Sequence, residues 1–153
     1  MAELDGLMVT KDLRKTYGDR VVTTVLHGID IRIDKGEFCA LVGPSGCGKS
    51  TLLNLIGLLD QPTSGHVYIN GVDTQPLDDD ARTELRGSTL GFIFQFHHLL
   101  MAFTALENVM MPLLAREGRP RPWIRDKATA LLEEVGLSDR VQYKVTDLSG
   151  GEQ

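Results

Sequence analysis

Between Gly43 and Thr51 the chain reads GPSGCGKST, three glycines, a lysine and three hydroxyls within nine residues. Glycines take positive φ and let the backbone come close to a ligand, so successive amide N–H groups can converge on one concavity that suits an anion. The residues before it, EFCALV, form a short apolar run expected to be a buried strand; those after it, LLNLIGLL, have the look of a buried helix. The loop is therefore expected to join strand to helix. The helix would then aim its free N–H groups and positive dipole end at the same concavity.

The spacing is G-x-x-x-x-G-K-[ST], filled by Gly43, Gly48, Lys49 and Ser50, the P-loop or Walker A pattern. In that pattern Lys49 reaches the β- and γ-phosphates and the Ser50 hydroxyl ligates Mg²⁺, while Pro44, Ser45, Gly46, Cys47 and Thr51 complete the lining. A glycine-rich turn with an exposed lysine is the plain alternative, but the flanking strand and helix that the motif needs are both expected. A nucleoside triphosphate is the implied ligand. The loop alone does not say how its energy is used.

The elements around the loop follow from pattern. VVTTVLHGIDIRID reads as strand, ending in a turn at Lys35-Gly36, and HVYINGVD reads as a hairpin turning at Asn70-Gly71. DDDARTELRG opens with acidic residues suited to a helix start and places Gly87 just past the helix end. TLGFIFQ is a further apolar strand closing on Gln95. Beyond it the pattern turns helical: Thr104 and Glu107 form a capping box for ALENVMMPLLAR, which Pro112 should kink or end. A second helix is expected from about Trp123 to Val135, with Ile124, Ala128, Leu131, Leu132 and Val135 on one face and Gly136 as its stop. No repeat or low-complexity tract appears.

With 153 residues, 42% of them hydrophobic, the chain can form a core of its own. Its start, MAELDGLMVTKDL, has neither the basic nor the apolar region of a leader, and no apolar run approaches a membrane span. A cytoplasmic protein without its own anchor is expected. A net charge of −5 argues against a large nucleic-acid footprint, and the one basic cluster, RPRPWIRDK, is expected to be a solvated loop. Cys39 and Cys47 make neither a disulfide framework nor a metal pattern. Cys39 is expected in the core, whereas Cys47 lies in the loop near a helix N-terminus, where thiols are more reactive. His97 and His98 are adjacent, so they face apart, and no third ligand is spaced to help.

Residues 148–153, LSGGEQ, resemble the signature of ATP-binding cassette (ABC) ATPases, and four elements match that family in order. Tyr17 in KTYGD sits where the family stacks an aromatic on adenine; GPSGCGKST is the P-loop; Gln95 in GFIFQ matches the Q-loop; Ser149, Gly150 and Gly151 belong to the signature. Within the family, GFIFQFHHLL and FTALENVMMPLL resemble the ATPase subunits of lipoprotein-releasing systems, and more distantly macrolide-type exporters. Met101 and Val145 stand where that group usually places prolines.

The resemblance implies an α/β P-loop NTPase core with an N-terminal antiparallel β subdomain and a helical subdomain, lacking the C-terminal strands. It divides the chain into 1–95, β subdomain plus P-loop core, and 96–153, helical subdomain up to the signature. It also implies ATP and Mg²⁺, the latter held by Ser50 and Gln95, in a sandwich of two ATPase subunits in which Ser149 and Gly151 of one cap the γ-phosphate held by the other. Transmembrane permease subunits would be the further partners, at the inner face of the cell membrane. ABC cassettes acting on nucleic acid or the ribosome form the alternative, disfavoured by the acidic charge and the lack of a coiled-coil insertion. The family's Walker B carboxylates and switch histidine have no counterpart here: Asp60 in LIGLLD and the acids of LLEEVG both fall in expected helices. The chain is accordingly expected to be an N-terminal fragment of a longer ATPase, able to bind nucleotide but not to hydrolyse it.

Overall fold

The computed structural model describes residues 6–153; the first five, part of the start read above as leaderless, lie outside them. The chain divides into two compact units, one running to Gly91 and the other spanning Phe92–Gln153.

The first unit is built on an antiparallel sheet of β1 (Met8–Tyr17), β2 (Thr23–Ile33), β3 (Ser64–Ile69) and β4 (Val72–Asp73), in the order β2-β1-β3-β4. β-branched residues dominate β2, and the β3–β4 hairpin turns at Asn70 and Gly71, both with positive φ, as the Asn-Gly pair requires. Helix α1 (Lys49–Ile56) lays Leu52 and Leu55 against Met8, Leu13, Leu26, Val67 and Ile69. Leu13 and Leu55 are fully buried, each contributing about 1.5–3 kcal/mol of transfer free energy.

Helix α2 (Asp79–Thr89) starts where Asp78 accepts the Ala81 N–H at 2.8 Å. It does not stop at Gly87, contrary to expectation. Arg86 donates to the Leu58 carbonyl at 2.7 Å, and this tie outweighs the roughly 1 kcal/mol that an exposed helical glycine costs.

The second unit pairs α3 (Ala105–Glu117) with α4 (Pro122–Glu134) around Ala105, Leu106, Ala128, Leu132 and Leu148. The Thr104–Glu107 capping box forms in both directions, with Glu107 accepting the Thr104 N–H at 2.8 Å and Thr104 Oγ1 accepting the Glu107 N–H at 3.2 Å. Pro112 does not end α3, which continues to Gly118; an interior proline removes one ladder bond, and capping at both ends carries the helix across it. On α4, Ile124, Ala128 and Leu132 are buried, but Leu131 and Val135 are exposed, so the apolar face is narrower than the sequence implied. The basic RPRPWIRDK segment is not all loop, because Pro122 opens α4, the first helical position being one where a missing N–H costs nothing.

Two apolar runs depart from their expected form. EFCALV and TLGFIFQ make no ladder among the described residues; Phe38 is 95% exposed, Val42 86% and Ile93 fully exposed. A strand buried on both faces takes its hydrogen bonds and its cover from neighbouring strands, and none lies beside these runs among the described residues. Cys39, expected in the core, is exposed for the same reason.

Candidate phosphate-binding site

The loop from Gly43 to Gly48 enters α1 directly, with Gly48 as the N-cap residue at φ 97°. No side chain caps this helix, so its first-turn N–H groups face the loop without a side-chain acceptor. Gly46 also has positive φ, at 81°. Gly48 is confined by packing as well as by φ: a Cβ there would lie 3.0 Å from Leu26 Cδ2 and 3.3 Å from the Val25 carbonyl oxygen. The loop is thus seated on β2.

Lys49 folds back over the loop, its Nζ donating to the carbonyls of Gly43 at 2.9 Å and Pro44 at 2.7 Å, with Cys47 Sγ 3.7 Å away. These are neutral acceptors. A phosphate oxygen at the same place would replace them with charge-assisted bonds of about twice the strength. Ser45 and Ser50 are exposed, and Thr51 is half-buried in the first turn of α1.

Tyr17 ends β1 and is 43% exposed. Its hydroxyl donates to Asp60 Oδ2 at 2.9 Å, while Lys15 pairs with Asp60 Oδ1 at 2.7 Å. Asp60 does not lie in the helix after the loop, as the sequence suggested, but in the turn beyond it, because α1 stops at Ile56 and its Gly57 cap. Desolvation pushes the Asp60 carboxyl up, but the bonds from Lys15, the Gln61 N–H and Tyr17 prevail and hold it below its ordinary value. Tyr17, the loop and the start of α1 thus belong to the same unit, the bonded partner of Tyr17 being Asp60, beyond the C-terminal end of α1.

Gln95 and the Ser149-Gly150-Gly151 turn belong to the second unit. Gln95 is exposed. At the turn, the Ser149 N–H and hydroxyl both donate to Glu152 Oε2 at 2.8 Å. The N–H groups of Glu152 and Gln153 return to the Ser149 carbonyl at 2.9 and 3.1 Å. Arg140 Nε donates to Glu152 Oε1 at 3.0 Å. The Ser149 N–H first, then its hydroxyl and Arg140, hold the Glu152 carboxyl down at about 2. Sequence reasoning missed this use of Glu152; the available signal was S-x-x-E, the capping-box spacing, hidden inside a glycine pair.

Among the described residues no group of three or more His, Cys, Asp and Glu could hold a metal ion, and His97 and His98 are both exposed. No helix among them is long and apolar enough to cross a membrane.

The sequence model of the ABC transporter family matches residues 26–153. The chain belongs to that family. It is 58% identical over 142 residues to the lipoprotein-releasing system ATP-binding protein LolD of Anaeromyxobacter dehalogenans, covering 92% of this chain and 59% of that protein. To LolD 1 of Rhodopseudomonas palustris it is 54% identical over 153 residues, covering 99% of this chain and 65% of that one. A solved ATP-binding cassette, a dimer in a post-hydrolysis state bound to ADP and Pi, superposes with a TM-score of 0.83 at 40% identity, covering 95% of this chain and 64% of its own. The chain thus spans about three fifths to two thirds of the length of these relatives. The α/β ABC cassette fold and the resemblance to lipoprotein-releasing ATPases both stand.

Proposed function

We propose that the chain binds ATP through Gly43–Thr51 and that its ABC ATPase couples binding and hydrolysis to a membrane permease, releasing lipoproteins from the inner membrane or serving a related macrolide-type export. The observation that carries the reading is the loop itself: an uncapped helix N-terminus behind positive-φ glycines, with Lys49 folded over neutral carbonyls that a phosphate can replace. Both the amides and the ammonium favour the same ligand, a polyphosphate.

In this assignment Lys49 takes the β- and γ-phosphates and Tyr17 the adenine. Ser50 would supply a hydroxyl oxygen, a hard neutral donor that suits Mg²⁺, which adds charge neutralisation at the phosphates; the amide oxygen of Gln95, in the second unit, is a donor of the same kind. Carboxylate support for the ion is not part of this donor set. Ser149, Gly150 and Gly151 would face the nucleotide of a second ATPase subunit, which the dimeric state of the related cassette supports. Residues 1–95 act as the nucleotide-holding part and 96–153 as the part that passes closure to the permease, at the cytoplasmic face of the membrane.

A thermal melt with ATP and with ADP tests the binding step. Ligand at a hundredfold its dissociation constant should raise stability by about 2.7 kcal/mol through mass action. No shift with either nucleotide at millimolar concentration, in a folded chain, rejects the reading.

A further inference from the structure

Lys15, Tyr17 and Asp60 form a closed triangle that the phosphate loop does not require. Besides Asp60, Lys15 Nζ also donates to the Gln61 carbonyl at 2.6 Å, and it stands 4.8 Å from the Tyr17 ring centroid. Asp60 Oδ1 accepts the Gln61 N–H at 2.7 Å as well, so neither partner is free to swing away. The Lys15 side chain is only 12% exposed. A cation over a ring at so dry a place holds it more firmly than at open surface. The phenol is thereby fixed at its hydroxyl by Asp60 and on one face by Lys15. Tyr17 as a whole remains 43% exposed.

The triangle stands at the end of the sheet that carries the loop. Leu26, against which Gly48 packs, is the cross-strand partner of Lys15, and Tyr17 lies two residues farther along β1. Two strand residues span about 7 Å. Tyr17 thus lies on the strand whose cross-strand neighbour packs against the loop.

We propose that Asp60 and Lys15 are positioning residues for base recognition: they hold the Tyr17 ring so that a single face receives the adenine of a nucleotide whose phosphates occupy the loop. The inference rests on the nucleotide reading above. Ordering a loose side chain at the moment of binding costs affinity, and a ring already held avoids that cost; its release should weaken ATP binding about two- to tenfold.

Calorimetric titration of the 153-residue chain with ATP, and separately with inorganic tripolyphosphate, which has phosphates and no base, tests the idea. The variants are Tyr17→Phe, Asp60→Asn, Lys15→Met and the Tyr17→Phe/Asp60→Asn pair. Tyr17→Phe removes one exposed hydroxyl and keeps the ring, so it puts little at risk in folding. Each single variant is expected to lose about two- to tenfold in ATP affinity with tripolyphosphate binding unchanged. The pair is expected to lose no more than the worse single change, since both break one restraint. Unchanged ATP affinity in Tyr17→Phe overturns the inference, and so does an equal loss for both ligands, which would mark the triangle as support for the loop alone. If the unaltered chain binds both ligands equally, base recognition falls and the phosphate reading stands; if it binds neither, both fall.

Discussion

Lys49 in the phosphate loop is a cation held by two neutral carbonyls, whereas Ser149 in the second glycine-rich turn is a neutral hydroxyl held by an anion, Glu152. On the proposed reading both residues meet phosphate, but they meet it from opposite starting points. At Lys49 a phosphate improves on the bonds already present. At Ser149 it must displace a carboxylate that Arg140 holds in place, and then remain near that negative charge. The first turn is prepared for an anion; the second already has one. Glycine content alone would have grouped the two turns together, and only the partners of Lys49 and Ser149 separate them.

The largest effect should come from removing the cation of the first turn. Lys49→Ala is expected to abolish the nucleotide-induced stabilisation of about 2.7 kcal/mol at a hundredfold the unaltered chain's dissociation constant, read as loss of the melt shift. A retained shift would place the affinity in the loop amides and remove one side of the contrast.

The second turn can be compared with Thr104–Glu107, which has the same S/T-x-x-E spacing without glycines and caps a full helix. Thr104→Ala should destabilise the second unit by about 1 kcal/mol in urea unfolding. A change below a few tenths would mean that this spacing carries little in either place.

The charge state of Glu152 sharpens the contrast further. Its carboxyl is held at about 2, below its ordinary 4.5, so the turn's bonds contribute fully above 4.5 and are lost as pH falls through about 2. A carboxyl-carbon NMR titration should give a midpoint near 2, and both Ser149→Ala and Arg140→Gln should move it upward. A midpoint near 4.5 in the unaltered chain would mean that the turn's bonds do not favour the Glu152 carboxylate over its acid.

The smallest effect is kinetic. Cys47 lies against the Lys49 ammonium, whereas the Cys39 thiol is pushed above its ordinary value by local desolvation and then by Glu37. Alkylation should be faster at Cys47, and nucleotide should slow it there alone. Mass-spectrometric mapping that finds equal labelling, or no protection, goes against a Cys47 that sits beside bound phosphate.

What the sequence made legible was local. The loop into α1, the Asn70-Gly71 hairpin and the Thr104 box each need only neighbours within a few residues, and all three formed. Composition marks EFCALV as a buried strand and TLGFIFQ as an apolar one because it reports a preference for burial; burial itself depends on partners elsewhere in the chain. The sequence offers Asp60 only as a counterpart to the Walker B carboxylate, since nothing near it announces Tyr17, 43 residues away. Propensity alone places a helix end at Gly87 and a kink or an end at Pro112, and tertiary ties and good caps carry both helices on.

The seating of Gly48 on β2 also sets which substitutions the loop can accept. Gly46 has positive φ but open space around it, so asparagine, which tolerates that backbone region, is a feasible replacement there. Gly48 is constrained twice, by φ and by Leu26 and Val25, and relieving one constraint leaves the other. In a library randomised at both positions, folded clones would therefore diversify at 46 and stay invariant at 48, even where residues 25 and 26 are allowed to shrink in the same clone. Invariance at 48 would then report the backbone of the loop and of strand β2, not a contact with a ligand.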